Sequence, residues 1–353
     1  MPRAQIIEVQ YLRAFAVLLV LVGHINQAEM RVLDGDVLGS IGFFGFSGVD
    51  VFFVISGFII HTLYRDHSGL DWRFFLNRLN RIYPMYWLVT LVGIGGYMLL
   101  GRQLSEMGGN TNWLTTITLF PTDQLPLLAI GWTLTHELYF YLVYGLFLAL
   151  PLHWRPWALG GWLALSLFGL SRLGGDLPAV VELMISPFNL LFLSGIALAQ
   201  FRPRFERWRL LSLALLVGGV VLGLYWTSSY GLAGLGNESI RVLVFMPFAV
   251  GLCWAALAFK PVLPQLFARI GDWSYVLYLG HPLVIIAFEL RLVQVFDGWP
   301  LDNLVFYAGC IIASLAAAWL AHILAERPAL ALGKSLIARI GRGETTPSAA
   351  NRS

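Results

Sequence analysis

The sequence predicts an all-α polytopic membrane protein, a bundle of about ten transmembrane helices with both termini in the cytoplasm. Of the 353 residues, 58% are hydrophobic and only 12% are charged, which is about half the charged fraction of a soluble domain. The apolar residues fall in long runs, whereas the strands of a membrane barrel alternate in polarity. The first run lacks a small-residue cleavage site, so we expect it to remain as the first membrane helix.

Ten apolar segments come close to the ~20 residues that a helix needs to cross the hydrocarbon core. They cover residues 7–27, 43–63, 83–100, 127–150, 157–172, 181–200, 210–226, 239–258, 274–296 and 303–325. With the loops placed alternately on two sides, 17 of the 23 Lys and Arg residues fall on the side of the N-terminus and five on the other. Because basic residues collect in cytoplasmic loops, this distribution places both ends in the cytoplasm and favours an even number of spans.

The remaining segments are predicted to be loops and a tail around a single domain. We expect one transmembrane domain over residues 1–328, followed by a polar, disordered cytoplasmic tail over residues 329–353. The longest exterior loop, residues 101–126, contains an apolar patch at residues 113–120. Because this patch is too short to cross the bilayer, we expect it to lie in the interface or to re-enter the membrane.

The first predicted helix carries two ionisable residues on one face. Arg13 and His24 are eleven residues apart, which at ~100° per residue places their side chains within ~20° of each other and ~16 Å apart along the axis. Ionisable residues inside a membrane helix are costly and by default indicate a function. The alternatives are an arginine that extends to the near headgroups and a neutral histidine at the far interface.

Two carboxylates lie in other predicted spans. Asp50 is in the outer half of the second span, and Glu137 is ~15 Å deep in the fourth. A carboxylate that holds one imidazole nitrogen leaves the other nitrogen free to act as a base, so either residue could orient His24. His136 is an alternative base, although it projects ~100° away from Glu137.

Basic and aromatic residues meet at the start of the third span, where Arg78, Arg81 and Tyr83 follow one another. The two arginines are three residues apart and so are adjacent on a helix surface. Guanidinium groups bind phosphates bidentately, and aromatic faces stack on bases. The alternative is an ordinary topology signal beside an interfacial aromatic belt, and spacing alone does not separate the two interpretations.

The ninth span carries another polar face, formed by Ser274, Tyr278 and His281 at helical spacing. The expected depths of the polar membrane residues divide them into two zones. A cytoplasmic zone, suited to an anionic ligand, contains Arg13, Arg78, Arg81, Tyr83, Ser274, Tyr278 and His281. An exterior zone, suited to proton transfer, contains His24, Asp50 and Glu137.

Six sequence blocks, taken in order, resemble the acyltransferase-3 family of integral membrane acyltransferases. They are the Arg13/His24 pair, VDVFFVISGFII, RLNRIYPMYW, WTLTHELYF, SYVLYLGHP and the final ERP, and they extend over residues 7–328. The chain is similar to the short members, without a fused extracytoplasmic domain, that modify exopolysaccharides, lipopolysaccharides or small molecules. The family's critical arginine and histidine fall on Arg13 and His24, its arginine-rich motif on Arg78 and Arg81, and its acid on Glu137.

The resemblance implies a multi-pass enzyme of the bacterial inner membrane. Its reaction would transfer an acyl group, usually acetyl from cytoplasmic acetyl-CoA, to a hydroxyl of an extracytoplasmic or lipid-linked saccharide. We expect the glycan acceptor and the lipid bilayer as partners, with no nucleic acid, and a homo-oligomer is left open. No metal is expected, because Cys253 and Cys310 lie in apolar segments without metal-ligand spacing.

On this hypothesis, His24 acts as a general base on the acceptor hydroxyl or briefly carries the acetyl group. The residues assigned to catalysis are His24, Glu137, Arg13 and Asp50. The residues assigned to donor binding are Arg78, Arg81, Tyr83, Arg13, Tyr278 and His281. Two alternatives stay open on the sequence alone, namely a proton-coupled transporter and a component of a polysaccharide-export complex.

Overall fold

The computed structural model describes residues 6–33, 36–67, 69, 71–99, 112–172, 177–292, 295 and 301–343, and every regular element within these ranges is a helix. The α-helices are α1 (Ile7–Val32), α2 (Ser47–Tyr64), α3 (Trp72–Leu99), α4 (Trp113–Thr118), α5 (Trp132–Ala149), α6 (Arg155–Ser171), α7 (Ala179–Ile185), α8 (Asn189–Gln200), α9 (Arg202–Arg207), α10 (Arg209–Tyr230), α11 (Glu238–Phe259), α12 (Gln265–Asp272), α13 (Ser274–Ala287), α14 (Asp302–Ala321) and α15 (Arg327–Gly343). A 3-10 helix, Gly39–Phe46, precedes α2, and a π-helical turn, His322–Glu326, joins α14 to α15.

Within the described ranges, seven helical stretches are long and apolar enough to cross a membrane. Helices α12 and α13, bent by 74°, make an eighth if this pair is one span. The seven are Ile7–Val32, Gly39–Tyr64, Trp72–Leu99, Ala179–Gln200, Arg209–Tyr230, Glu238–Phe259 and Asp302–Ile340. The fourth and fifth predicted spans coincide with α5 and α6, of 18 and 17 residues, which do not belong to this set. The fold is therefore that of a multi-pass helical membrane protein, while the count of ten spans and the sides of the termini stay predictions.

Close glycine contacts hold α2 against α8. A Cβ added at Gly57 would lie 2.0 Å from the carbonyl oxygen of Phe192, and one added at Gly195 would lie 2.0 Å from that of Val54. Small residues let the backbones of membrane helices approach in this way. The two glycines end similar sequences, FFVISG and LFLSG, so this pair of short motifs forms a packing contact between helices.

The bend between α12 and α13 sets the level at which α13 begins. A Cβ added at Gly271 would lie 2.2 Å from the carbonyl oxygen of Gln10, so the end of α12 packs directly on the first turn of α1. Further along the two helices, the rings of His24 and His281 are in contact. Therefore α1 and α13 run in the same direction. His24 is the eighteenth residue of α1 and His281 the eighth of α13, so α13 begins ~15 Å deeper than α1.

Two segments are more ordered than the sequence predicted. The third span begins at Trp72 rather than near residue 83, so Arg78 and Arg81 lie on α3 and not in a loop. The expected disordered tail is helical from Arg327 to Gly343, because α15 packs on α3 with Gly333 against the side chain of Asn80. The last ten residues of the tail, 344–353, lie outside the described residues.

The apolar patch in the long loop forms α4, which lies beside the middle of α3. Tyr86 donates a hydrogen bond to the carbonyl oxygen of Thr116 at 2.8 Å, and Trp87 donates one to that of Ile117 at 2.8 Å. These donors are ~20 Å along α3 from its first residue. The patch therefore packs on α3 at mid-length, and its interfacial or re-entrant position stays a prediction. The first part of the loop, residues 101–111, is outside the described ranges.

Candidate active site

A cavity of about 760 Å³ lies between α1, α2, α3, α5, α13 and α15. Along α2 its wall extends from Val49 to Ile60, or ~16 Å of helix. Its polar lining includes Gln10, Arg13, Ser56, Asn77, Arg78, Asn80, Arg81, Thr133, Glu137, Tyr141, Asp272, Ser274, Tyr275, Tyr278, His322, Arg327 and Lys334. The structure thus brings together five residues of the predicted cytoplasmic zone, which are Arg13, Arg78, Arg81, Ser274 and Tyr278.

Positive charge dominates the described lining of this cavity. The cations are Arg13, Arg78, Arg81, Arg327 and Lys334, and the carboxylates are Glu137 and Asp272. A concave surface with low-dielectric walls and an excess of one charge concentrates ligands of the opposite charge. The arrangement therefore suits an anionic ligand.

Arg78 sits among aromatic rings and has no carboxylate partner among the described residues. Its guanidinium carbon lies 5.8 Å from the ring centre of Tyr64, 6.0 Å from that of Phe74 and 5.7 Å from that of Tyr141. Its Nε atom is buried and has no hydrogen-bond partner there. Cation–π contacts hold the side chain in place without using its hydrogen-bond donors, so these donors are available to an anion.

Arg81, in contrast, is paired within the protein. Its Nη1 atom donates to Oε1 of the buried Glu326 at 2.8 Å, and the other oxygen of this carboxylate is 2.6 Å from Nδ1 of His322. The guanidinium also lies over the ring of Tyr275, 5.1 Å from its centre. Part of the charge of Arg81 is therefore neutralised by the ERP motif, 245 residues further along the chain.

Glu137 lines the same cavity, so its predicted place in the exterior zone with His24 is wrong. Its Oε1 atom accepts hydrogen bonds from Ser56, at 3.2 Å, and from the hydroxyl of Tyr141. Ser56 lies near the middle of α2, which brings the carboxylate to the level of the cationic cavity. The number of residues from the start of α5 to Glu137 does not predict this contact, because α2 and α5 begin at different levels in the helix bundle.

Tyr83 does not line the cavity, contrary to its assignment to the donor site. Its hydroxyl donates a hydrogen bond of 2.5 Å to the carbonyl oxygen of Thr118. The side chain thus holds the last residue of α4 against α3. The tyrosines that do line the cavity are Tyr141, Tyr275 and Tyr278.

His24 and His281 form a pair just beyond the deep end of the cavity. Their ring centres are 4.8 Å apart, and the ring of Phe46 covers His24 at 4.9 Å. Tyr278, which lines the cavity, lies 6.0 Å from His281 between ring centres. Phe46 precedes Val49, the last lining residue of α2 in this direction, by three residues, so His24 lies ~5 Å past the cavity.

Backbone carbonyls orient both imidazoles. Nδ1 of His24 is 2.9 Å from the carbonyl oxygen of Val20, and Nδ1 of His281 is 3.0 Å from that of Leu277. Because a carbonyl oxygen only accepts, each Nδ1 donates, and in a neutral ring the lone pair is then on Nε2. Neither Asp50 nor Glu137 bonds to His24 within the described residues, so the prediction that a carboxylate orients it is wrong.

His281 was also placed in the wrong zone. It is absent from the cavity lining and lies at the level of His24, with Nε2 buried and without a hydrogen-bond partner in the described chain. The deeper start of α13, ~15 Å beyond the start of α1, explains the difference. Its assigned role in donor binding therefore has no contact to support it.

Asp50 is paired with Arg241, which is not among the site residues predicted from the sequence. Arg241 Nη2 donates to Oδ2 of Asp50 at 3.1 Å and to the carbonyl oxygen of Phe46 at 3.1 Å. Asp50 is fully buried, and the guanidinium lies over the rings of Trp132 and Phe188. Arg241 is three residues into the apolar helix α11, and a cation so placed is a signal for a buried carboxylate partner.

Two further cations of the cavity, Arg327 and Lys334, were not selected from the sequence. Both lie on α15; Arg327 belongs to the ERP block at the end of the predicted domain, and Lys334 lies where a disordered tail was expected. They are seven residues apart and so share one face of this helix. No three His, Cys, Asp or Glu side chains in the described part of the chain are grouped so that they could hold a metal ion.

Fold and site together define a multi-pass helical membrane protein with a cationic cavity that ends beside two imidazoles. Comparison with known families agrees, since the family model described as "Acyltransferase domain" matches residues 6–323. The chain belongs to this family, the acyltransferase-3 family, and is an acyltransferase.

Several relatives support this identification. The chain is similar to the exopolysaccharide production protein ExoZ of Rhizobium meliloti, with 29% identity over 82% of this chain and 91% of the relative. It is similar to the acyltransferase MdmB of Streptomyces mycarofaciens, with 27% identity over 91% and 90% of the two chains. A shorter match, 28% identical over 43% of this chain, covers 25% of the peptidoglycan O-acetyltransferase OatA of Listeria monocytogenes. No solved structure matches the chain.

Proposed function

We propose that the protein transfers an acetyl group from cytoplasmic acetyl-CoA to a hydroxyl of an extracytoplasmic or lipid-linked saccharide. The observation that carries this proposal is the cationic cavity that ends one helical turn short of the His24 imidazole. In this proposal the protein crosses the bacterial inner membrane about ten times, with both termini in the cytoplasm and the mouth of the cavity facing the cytoplasm. His24 then lies towards the opposite leaflet.

The lining of the cavity fits the donor in charge and in shape. Phosphate groups at one end of CoA suit the surplus of guanidinium and ammonium groups, since charge-assisted hydrogen bonds to phosphate are strong. The unused Nε donor of Arg78 supports a role in phosphate binding. The pantetheine arm would extend past Arg13 and the tyrosines towards Tyr278, so that the thioester reaches the end of the cavity near His24.

The chemistry follows from the free Nε2 atom of His24. As a general base it takes the proton of the acceptor hydroxyl, whose oxygen attacks the thioester carbonyl. The ester bond forms, the carbon–sulfur bond breaks, and the proton passes from the imidazole to the CoA thiolate. In the covalent alternative, Nε2 attacks the thioester carbonyl, and the carbon–sulfur bond breaks to release the CoA thiolate. The acceptor hydroxyl then attacks the acyl-imidazolium, the bond from Nε2 to the acyl carbon breaks, and the hydroxyl proton passes through the imidazole to the thiolate.

Arg13, Glu137 and Asp50 stay in the proposed site with changed roles, and Glu137 moves from the side of His24 to the cavity. Arg13 and Glu137 line the path of the donor, where Glu137 positions Ser56 and Tyr141. Asp50 neutralises Arg241, which in turn bonds to the backbone at Phe46, the residue whose ring covers His24. We therefore propose Asp50 as a positioning residue.

A saccharide is proposed as the acceptor because of the relatives. ExoZ is named as an exopolysaccharide production protein, and OatA is named as a peptidoglycan O-acetyltransferase. A hydroxyl on a surface glycan is an acceptor that agrees with both names. An acceptor on the far side of the membrane also agrees with the position of His24, which lies past the Tyr278 end of the cavity.

The test compares surface glycans from a deletion strain that expresses the wild-type protein, the His24→Ala variant or the His153→Ala variant. His153→Ala is the control, because His153 is exposed. General-base catalysis contributes ~10²- to 10⁴-fold, so mass spectrometry should find no acetyl ester with His24→Ala at an equal protein level. His153→Ala should restore acetylation fully. Normal acetylation by His24→Ala would refute the assignment.

A further inference from the structure

The C-terminal helix α15 supplies two cavity cations that lie outside the region matched by the family. The match ends at residue 323, whereas Arg327 and Lys334 follow it. Helix α15 has four basic residues and no acidic residue between Arg327 and Gly343. It is fixed to α3 by Gly333, which packs on Asn80, and by a hydrogen bond of 3.4 Å from Asn80 to the carbonyl oxygen of Leu330.

These two cations occupy the end of the cavity opposite to Tyr278 and Thr133. They share a helix face and line the cavity together with Leu330, which lies between them on the same face. Neither cation has a carboxylate within ion-pair distance among the described residues. Arg81 on α3, by contrast, is already paired with Glu326.

The order of the chemical groups in CoA indicates which part of the donor would lie beside these two cations. If the thioester lies at the deep end of the cavity, the pantetheine arm and the diphosphate follow, and the ribose 3′-phosphate is furthest from the acyl group. We infer that Arg327 and Lys334 bind the 3′-phosphate of the donor, so that α15 completes the donor site. This inference rests on the proposed function, because it takes CoA as the donor.

The experiment measures the binding of CoA and of 3′-dephospho-CoA to the purified full-length protein by calorimetry. The wild-type protein should bind CoA at least tenfold more tightly than dephospho-CoA, because charge-assisted bonds to one phosphate are lost in the second ligand. Lys334→Gln and Arg327→Gln should each reduce this ratio severalfold by weakening CoA alone. Lys334→Arg should keep most of it.

Arg339→Gln is the matched control, since Arg339 is exposed on the same helix, ~140° from Lys334 and outside the cavity lining. It should leave the ratio unchanged. A ratio that is unaltered in Lys334→Gln and Arg327→Gln, or equal losses for both ligands, would overturn the inference while leaving the proposed function intact. Absence of CoA binding to the wild-type protein would instead contradict the proposed donor.

Discussion

The ion pair between Asp50 and Arg241 gives a prediction that can be worked out from the structure. The pair joins α2 to α11 at 3.1 Å, with Asp50 fully buried and Arg241 only 12% exposed. Replacing Arg241 by leucine removes the only described partner of the Oδ2 atom and leaves Oδ1 unpaired as before. Breaking one side of a buried pair costs about 3–5 kcal/mol, because an uncompensated charge stays behind.

The same principle predicts that the double variant loses less than either partner alone. Replacing both charged residues by apolar ones is often nearly neutral, so Asp50→Leu with Arg241→Leu should recover most of the stability lost in Arg241→Leu. The coupling free energy should therefore be about 2–4 kcal/mol, well above the ~0.5 kcal/mol expected for independent sites.

The assay is unfolding of the purified protein in mixed micelles, with the free energy compared among wild type, both single variants and the double variant. A suitable control is Arg202→Leu, because both Arg202 and its partner Glu206 are open to solvent, and an exposed pair contributes about 0–1 kcal/mol. Additive single losses, or a loss below 1 kcal/mol for Arg241→Leu, would refute the reasoning.

Three further outcomes are expected. Arg78→Ala should raise the dissociation constant for CoA about 10- to 100-fold in calorimetry, because a charge-assisted bond is worth about 1.5–3 kcal/mol; an unchanged constant would contradict the role of Arg78 in the cavity. Gly57→Val should prevent accumulation of folded protein, since its Cβ would meet Phe192 O at 2.0 Å, whereas Gly218→Val, with open space at that position, should fold normally in fluorescence-detected size exclusion. Tyr83→Phe should lower the unfolding free energy by about 1 kcal/mol without changing the KM for acetyl-CoA, and an increased KM would place Tyr83 in the donor site after all.

The sequence predicted those features that depend on local pattern. Long apolar runs identify the helices, and helical spacing puts Arg13 and His24 on one face and makes Arg78 and Arg81 neighbours. The structure then brings Arg13, Arg78, Arg81 and Tyr278 to one cavity. The family was recognisable from short motifs because each of them holds residues of the cavity or of its surroundings.

The features that the sequence did not predict depend on how helices are placed relative to one another. His281 reaches His24 because α12 packs on the start of α1, and Glu137 reaches the cavity because it bonds to the middle of α2. Depth counted along one helix carries no information about the height of another. The partner of Asp50 is 191 residues away and that of Arg81 is 245 residues away, so neither pairing has a local signal.

Helix α15 was missed for a different reason. It carries four cations in seventeen residues and leads into the polar run of residues 341–353, which favours disorder when read without periodicity. Its apolar residues, however, recur on one face, with Leu332, Leu336 and Ile340 at intervals of four residues. This periodicity was the available signal for a helix.

The central claim is that the cationic cavity delivers an acyl thioester to His24. The most direct measurement is an experimental structure of the protein with a non-hydrolysable thioether analogue of acetyl-CoA. The account predicts that the sulfur atom lies near Tyr278, with the acyl carbon roughly 3–4 Å from Nε2 of His24, and that the phosphates lie beside Arg78 and α15. An analogue bound with its sulfur far from His24, for example in the separate cavity bordered by His61 and Gln200, would contradict it.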